Sequence, residues 1–260
     1  MQIVGDQSPL DAATPAHSAF EVAINEKSHR DGAGERIAVL ANLRFRLATN
    51  AFTCIIGPSG CGKTTTLRIL AGLDRDYAGH VDPRIEAARI AVAFQEPRLL
   101  PWRTVAENVS LALDDAAPRE REQRVEAALA DVGLAGLGGR YPAELSLGQA
   151  RRAALARAFA VRPDVLFLDE PFVSLDETSA QRLRALLLTL WERHKVTVLM
   201  VTHNVREAIQ LADTVLLLSE RPAHVVDAVA VDIARSERTE EAVAGFAHRL
   251  AARYPTIIAL

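Results

Sequence analysis

The run Gly57-Pro58-Ser59-Gly60-Cys61-Gly62-Lys63-Thr64-Thr65 constrains this chain more than any other stretch. It matches G-x-x-x-x-G-K-[ST], a phosphate-cradling loop. Phe52-Thr53-Cys54-Ile55-Ile56 precedes it and reads as a buried strand; residues 63–71, without Gly or Pro and carrying Leu67, Ile69 and Leu70, read as a helix. Strand, glycine loop and helix are the context in which the pattern has chemical meaning. Gly57, Gly60 and Gly62 allow positive φ and close backbone approach. Successive N–H groups then form an anion nest, and the helix starting near Lys63 adds the positive end of its dipole. Lys63 supplies a cation for β- and γ-phosphates, and the Thr64 hydroxyl is a ligand for the accompanying magnesium. A chance match arises in roughly one random chain in a hundred of this length. Lys63 is one of only three lysines, with Lys27 and Lys195, which lowers those odds further.

The 260 residues suit one domain or a two-lobed unit, and 49% hydrophobic content is enough for a large core. A net charge of −3, with arginines interspersed among acids, predicts no nucleic-acid partner. The two cysteines, Cys54 and Cys61, fall in the strand and the loop, fit a reducing compartment and cannot staple a scaffold. No His/Cys cluster has zinc-ligand spacing. Met1 to Ala16 lacks the apolar core of a signal peptide, and no run of about 18 apolar residues exists to span a membrane. The expectation is a soluble chain whose membrane role, if any, goes through a partner.

In chain order, residues 1–17 read as a flexible leader. Alternation over 18–27 and 36–47, with a turn from Ser28 to Gly34, predicts a small antiparallel sheet. Gly79 to Pro83 reads as a turn, and 89–94 as a strand ending at Gln95. The texture of 96–162 is helical, with helices at 104–113, 119–132 and 146–161. A strand at 165–168, a helix at 177–194, a strand at 196–201, a helix at 204–212 and a strand at 214–218 follow. Alternation at 224–233 and an amphipathic helix near 238–252 complete the chain. The fold class is therefore α/β: a mainly parallel sheet flanked by helices, an N-terminal antiparallel β-lobe and an α-helical subdomain.

Further residues carry chemistry. Val165-Leu166-Phe167-Leu168-Asp169-Glu170 is an apolar strand ending in two acids at its carboxyl end, where ligands sit in open α/β sheets. Asp169 suits a magnesium ion, and Glu170 a general base that polarises an attacking water. The bland reading is a strand capped by solvated acids; behind a phosphate loop the functional one leads. Gln95 can reach a metal or a lytic water, although a glutamine at a strand end is more often an ordinary surface group. His203, ending the strand 196–202, can touch a γ-phosphate or merely cap the next helix. Leu145-Ser146-Leu147-Gly148-Gln149 contains a capping box, Ser146 with Gln149, which explains a well-started helix and also aims a helix N-terminus at any phosphate in front of it. Asp176, in Ser174-Leu175-Asp176, reads as the N-cap of the helix from Glu177.

Together these residues resemble an ATP-binding cassette ATPase over about residues 18–233. The order is phosphate loop (57–65), Gln95, signature (145–149), acidic strand (165–170), Ser-Leu-Asp turn (174–176) and His203. Phe94-Gln95-Glu96-Pro97-Arg98-Leu99-Leu100-Pro101-Trp102-Arg103-Thr104-Val105 and Leu168-Asp169-Glu170-Pro171-Phe172 are similar to the nitrate/sulfonate/taurine-type importers. The resemblance implies a P-loop NTPase core over 18–233 with a helical subdomain at about 96–162, and leaves 234–260 as a C-terminal helical tail. It also implies ATP and Mg2+ as cofactors, with Thr64, Gln95 and Asp169 around the metal and Glu170, His203 and Lys63 catalytic. Pro58, Ser59, Cys61 and Thr65 join the glycines in the ATP cradle. Ser146, Gly148 and Gln149 act in trans on the nucleotide of a second ATPase copy, identical or paralogous.

Further expectations follow from the same resemblance. Glu96–Thr104 receives a transmembrane permease subunit, a solute-binding protein acts indirectly, and the chain works peripherally at the cytoplasmic face of the inner membrane, importing a small oxyanion. Two positions depart from the family. Leu147 replaces the first signature glycine, so closure or turnover is expected to be weaker than with glycine. His29 stands where an adenine-stacking aromatic is usual. A small-molecule kinase, the main alternative, would need an acceptor lid where 145–149 stands. A cassette acting on nucleic acid would need a long coiled-coil insertion or a basic arm, and the helical insert here is short.

Overall fold

The computed structural model describes residues 19–258, except 31, 33 and 114, so the expected leader lies outside the described residues. Strands β1 (Ala19–Arg30) and β2 (Arg36–Ala48) pair antiparallel. Their alternation buries Val22, Ile24, Leu43, Phe45 and Leu47 and exposes Glu21, Arg44 and Arg46. The turn expected from Ser28 is corrected: β1 continues to Arg30, because His29 and Arg30 still pair with Ile37 and Arg36 beyond a register shift at Lys27/Ser28. Lys27 is buried there, and its ammonium donates to Asp74 Oδ1 (2.9 Å) and to the Asp76 carbonyl (2.6 Å).

Next come β3 (Phe52–Ile56), buried throughout, and α1 (Lys63–Leu70). The turn expected at Gly79–Pro83 is also corrected: β4 (Ala78–Val81) pairs antiparallel with β1, and Pro83 opens a short helix, α2 (Pro83–Ala87). Gly79 masked this strand. Its φ is 144°, and a Cβ there would fall 2.2 Å from the Ala23 carbonyl oxygen. It is therefore the close-approach glycine of a strand, not a turn residue.

The chain continues with β5 (Ile90–Ala93), α3 (Val105–Ser110) and the 3-10 turn Leu111–Leu113, α4 (Pro118–Asp131), α5 (Leu147–Ala160) and β6 (Val165–Asp169). Then follow α6 (Glu177–His194), β7 (Thr197–Val201), α7 (Val205–Leu211), β8 (Thr214–Leu218), β9 (Val225–Ala230) and α8 (Glu240–Arg253).

These elements divide into two compact units. One takes the described residues up to Glu86 and those from Val201 on; the other is Ala87–Met200. In the first, the sheet β2-β1-β4 is antiparallel, β3 runs parallel to β8, and β9 closes antiparallel on β8. Helix α8 packs on α7 and buries Val243, Phe246, Ala247 and Leu250. In the second, β5 and β6 are parallel, and α3, α4 and α5 pack on one another. Asp164 accepts from the Arg89 amide (3.0 Å) and guanidinium (2.8 Å), which pins the start of β6 to that of β5.

Candidate functional site

In the first unit, all of Gly57–Thr65 lies between the end of β3 and the first turn of α1. Gly62 takes the N-cap with φ 126° and ψ 11°, a conformation open to glycine alone, and it offers no capping side chain. The first turn of α1 thus receives no hydrogen bond from a capping side chain at Gly62. A Cβ added at Gly62 would meet Leu40 Cδ2 at 2.7 Å, so the buried Leu40 side chain on β2 would have to shift. Gly60 is likewise at positive φ (74°). Gly57 is a correction: it is not among the positive-φ residues, and its small size instead admits Leu218 and Cys61, each 3.0 Å from a would-be Cβ. Lys63 is only 6% exposed, and its Nζ donates back to the carbonyls of Gly57 (2.8 Å) and Pro58 (3.0 Å). Two of its three N–H bonds thus brace the loop that it serves. Burial raises the Cys61 thiol above its ordinary value, against the pull of Lys63 and Arg221, so it stays protonated inside the loop.

His203 leaves the same end of the strands. The Thr202 amide donates to the Ile55 carbonyl (3.2 Å), so His203 and Gly57 emerge beside each other. His203 is exposed and does not cap α7. Asn204 does, accepting from the Arg206 (3.0 Å) and Glu207 (3.3 Å) amides. That removes the helix-capping explanation for His203. His29 lines a cavity of about 610 Å³ whose wall includes Tyr77, an aromatic that the sequence reading overlooked because it sits far along the chain, on the approach to β4.

In the second unit, Gln95 and Glu170 each lie two residues past paired positions, Ala93 with Leu168, so both leave the carboxyl ends of adjacent parallel strands. Asp169 is buried as the last residue of β6. Glu170 (φ 45°) and Ser174 (φ 61°) both hold left-handed backbone, a strain of about 1–3 kcal/mol each that clusters at functional sites.

The signature starts α5 as expected. Ser146 Oγ accepts from the Gln149 amide (3.2 Å), and the Gln149 side chain accepts from the Ser146 amide (2.9 Å). Leu147 points outward, 43% exposed. Asp176 caps α6 by accepting from the Ser179 amide (2.9 Å); hydrogen bonds from the Ser179 side chain and then its amide hold the carboxyl below the usual range.

Two arginines on α5, which the sequence reading did not single out, tie the signature helix to other site segments. Arg151 donates to the carbonyls of Pro171 (2.7 Å) and Val173, just past Glu170. Arg157 donates to those of Pro97 and Arg98, each at 2.9 Å, just past Gln95. The buried Asn108 side chain holds the next loop, accepting from the Leu100 amide (2.7 Å) and donating to the Leu100, Arg103 and Thr104 carbonyls. The loop presents Trp102, 70% exposed, which excludes core packing for that ring. Arginines within an Ala-rich helix were the available signal for Arg151 and Arg157; Asn108 carries none.

Residues 40–173 match the family model described as ABC transporter. The aliphatic sulfonates import ATP-binding protein SsuB 2 of Burkholderia cenocepacia is 45% identical over 207 residues, 78% of this chain and 76% of that one. The SsuB 1 protein of Pseudomonas aeruginosa is 47% identical over 211 residues (76% and 82%). SsuB of Mycobacterium avium is 43% identical over 234 residues, 89% of both. Among solved structures, the dimeric post-hydrolysis state of the ATP-binding cassette MJ0796 bound to ADP and Pi is similar with a TM-score of 0.71 at 28% identity, over 82% of this chain and 98% of that one.

Proposed function

We propose, because this chain belongs to the ABC transporter family, that it is the ATPase subunit of an importer whose cargo is a small oxyanion, an aliphatic sulfonate foremost. The family assigns ATP hydrolysis linked to transport. The relatives' printed names support a sulfonate over nitrate as cargo. The observation that carries the residue-level reading is the 57–65 loop, where a helix start with a glycine N-cap, a backbone conformation open to glycine alone and a buried lysine meet.

In this reading the loop amides and Lys63 hold the β- and γ-phosphates, and the cavity walled by His29 and Tyr77 takes the base. Thr64, Gln95 and Asp169 offer hydroxyl, amide and carboxylate oxygens, a donor set that suits magnesium. Bound there, the ion would neutralise phosphate charge. Glu170 takes the proton of the attacking water, and His203 donates to the γ-phosphate oxygens. Ser146, Gly148 and Gln149 close on the nucleotide held by a second copy, in keeping with the dimeric cassette. Glu96–Thr104 meets the permease, with the exposed Trp102 as its apolar contact. No helix among the described residues is long and apolar enough to cross a membrane, so anchoring falls to that partner at the cytoplasmic face.

The test is Glu170→Gln. Hydrolysis should fall by about 100-fold or more while ATP still binds and the chain accumulates as a dimer. Undiminished hydrolysis removes Glu170 as the base. For the cargo, permease vesicles carrying this subunit and the binding protein should show ATPase stimulation by an alkanesulfonate and not by nitrate.

A further inference from the structure

The turn between β8 and β9 presses on the phosphate loop from outside. Ser219 and His224 close it, with the Ser219 amide donating to the His224 carbonyl (3.1 Å) and the His224 amide to Ser219 Oγ (3.1 Å). Ala223, fully buried, clips it to β2: its amide donates to the Val39 carbonyl (2.8 Å), and its carbonyl accepts from the Ala41 amide (3.0 Å). The same stretch of β2 supplies Val39 and Leu40 against Gly62, and Leu218 lies against Gly57. From this anchored turn Arg221 reaches over, and its Nε donates to the Gly60 carbonyl.

That bond grips one particular peptide. The Gly60–Cys61 amide N–H is already committed to the Pro58 carbonyl (3.2 Å). Arg221 takes the carbonyl at the other end of the same peptide, so neither end is free to rotate. Holding a nest carbonyl outward keeps its neighbouring N–H groups turned inward. A charged donor makes that hydrogen bond stronger than a neutral one, and the guanidinium brings a positive charge to the rim of an anion site. Its NH2 lies 3.5 Å from where a Gly60 Cβ would stand.

We propose that Arg221 is a positioning residue of the phosphate site, acting through Gly60 to pre-organise the loop for the diphosphate that ATP and ADP share. The inference depends on reading 57–65 as that site. Because Arg221 acts on the loop and not on the γ-phosphate, its loss should weaken both nucleotides alike and spare the chemical step.

The experiment measures ATP and ADP dissociation constants by calorimetry, with steady-state KM and kcat, for wild type, Arg221→Ala, Arg221→Lys and Lys63→Ala. Circular dichroism confirms folding; Arg221 is exposed, so the variants should retain it. Arg221→Ala should raise both dissociation constants and KM about fivefold to tenfold with kcat within about twofold. Arg221→Lys, which keeps a charged donor, should recover most of the loss. The proposal is overturned if Arg221→Ala binds both nucleotides as wild type does, if the loss lies in kcat alone, or if Arg221→Lys is as impaired as Arg221→Ala. Lys63→Ala separates the two levels. If it binds nucleotide normally, the phosphate-site reading itself fails; if it loses binding while Arg221→Ala does not, only the role of Arg221 fails.

Discussion

The chain has two glycine-bearing helix starts that address phosphate in the proposed mechanism, and they are built in opposite ways. At α1 the N-cap is Gly62 at φ 126°, wedged against Leu40, with no side chain to cap the helix. At α5 the N-cap is Ser146, and the helix caps itself through a reciprocal pair with Gln149. Gly148, in its first turn, has nothing within 4 Å of a would-be Cβ. The first start takes its shape from a glycine conformation that the fold itself imposes, and its N-cap contributes no side chain. The second is already satisfied, so its glycine answers no demand inside this chain. The contrast teaches that Gly62 answers to the fold around it, whereas the described residues place no such demand on Gly148; in the proposed mechanism the nucleotide on a second copy supplies it.

Three substitutions can break that contrast. The largest effect belongs to Gly62→Ala, which must place a Cβ 2.7 Å from Leu40 on forbidden backbone. It should cost about 2–4 kcal/mol of stability and weaken ATP binding at least about tenfold. Thermal unfolding and equilibrium titration check both, and a stable, tightly binding variant would refute the demand. Gly148→Ala should split the two readouts: stability rises by about 0.5–1 kcal/mol from helix propensity, while the ATPase rate falls about tenfold. If the rate is unchanged, nothing external requires that glycine. The smallest effect is expected for Leu147→Gly. Removing an exposed side chain from the closing face should speed turnover roughly twofold to fivefold and cost about 0.5 kcal/mol of helix stability. A slower enzyme would mean that Leu147 contributes to closure.

Much of the molecule was legible beforehand where the signal is local. The phosphate loop, both capping motifs and the acidic strand end follow from short patterns whose geometry is set within a few residues. So do most strands and helices, since alternation and helical spacing report one buried face. The misreadings share a cause. Strand β4 hid behind Gly79, whose meaning depends on the Ala23 carbonyl across the sheet. The end of β1 hid in polar residues held by pairing with β2. Gly57 was read for its freedom of φ, when what counts is the closeness of Leu218.

Residue order alone determined that this chain holds a nucleotide-type phosphate loop and an acid at a strand end, because the spacing of glycines, a lysine and carboxylates dictates backbone shape and charge at short range. Only the tertiary structure decided what steadies them. Arg221 on Gly60, Arg157 on Pro97 and Arg98, and Lys27 on Asp74 each join positions at least 47 residues apart. Such a contact leaves no periodicity and no motif to read. It exists because folding brings a long cationic side chain within hydrogen-bond reach of a carbonyl or carboxylate far along the chain.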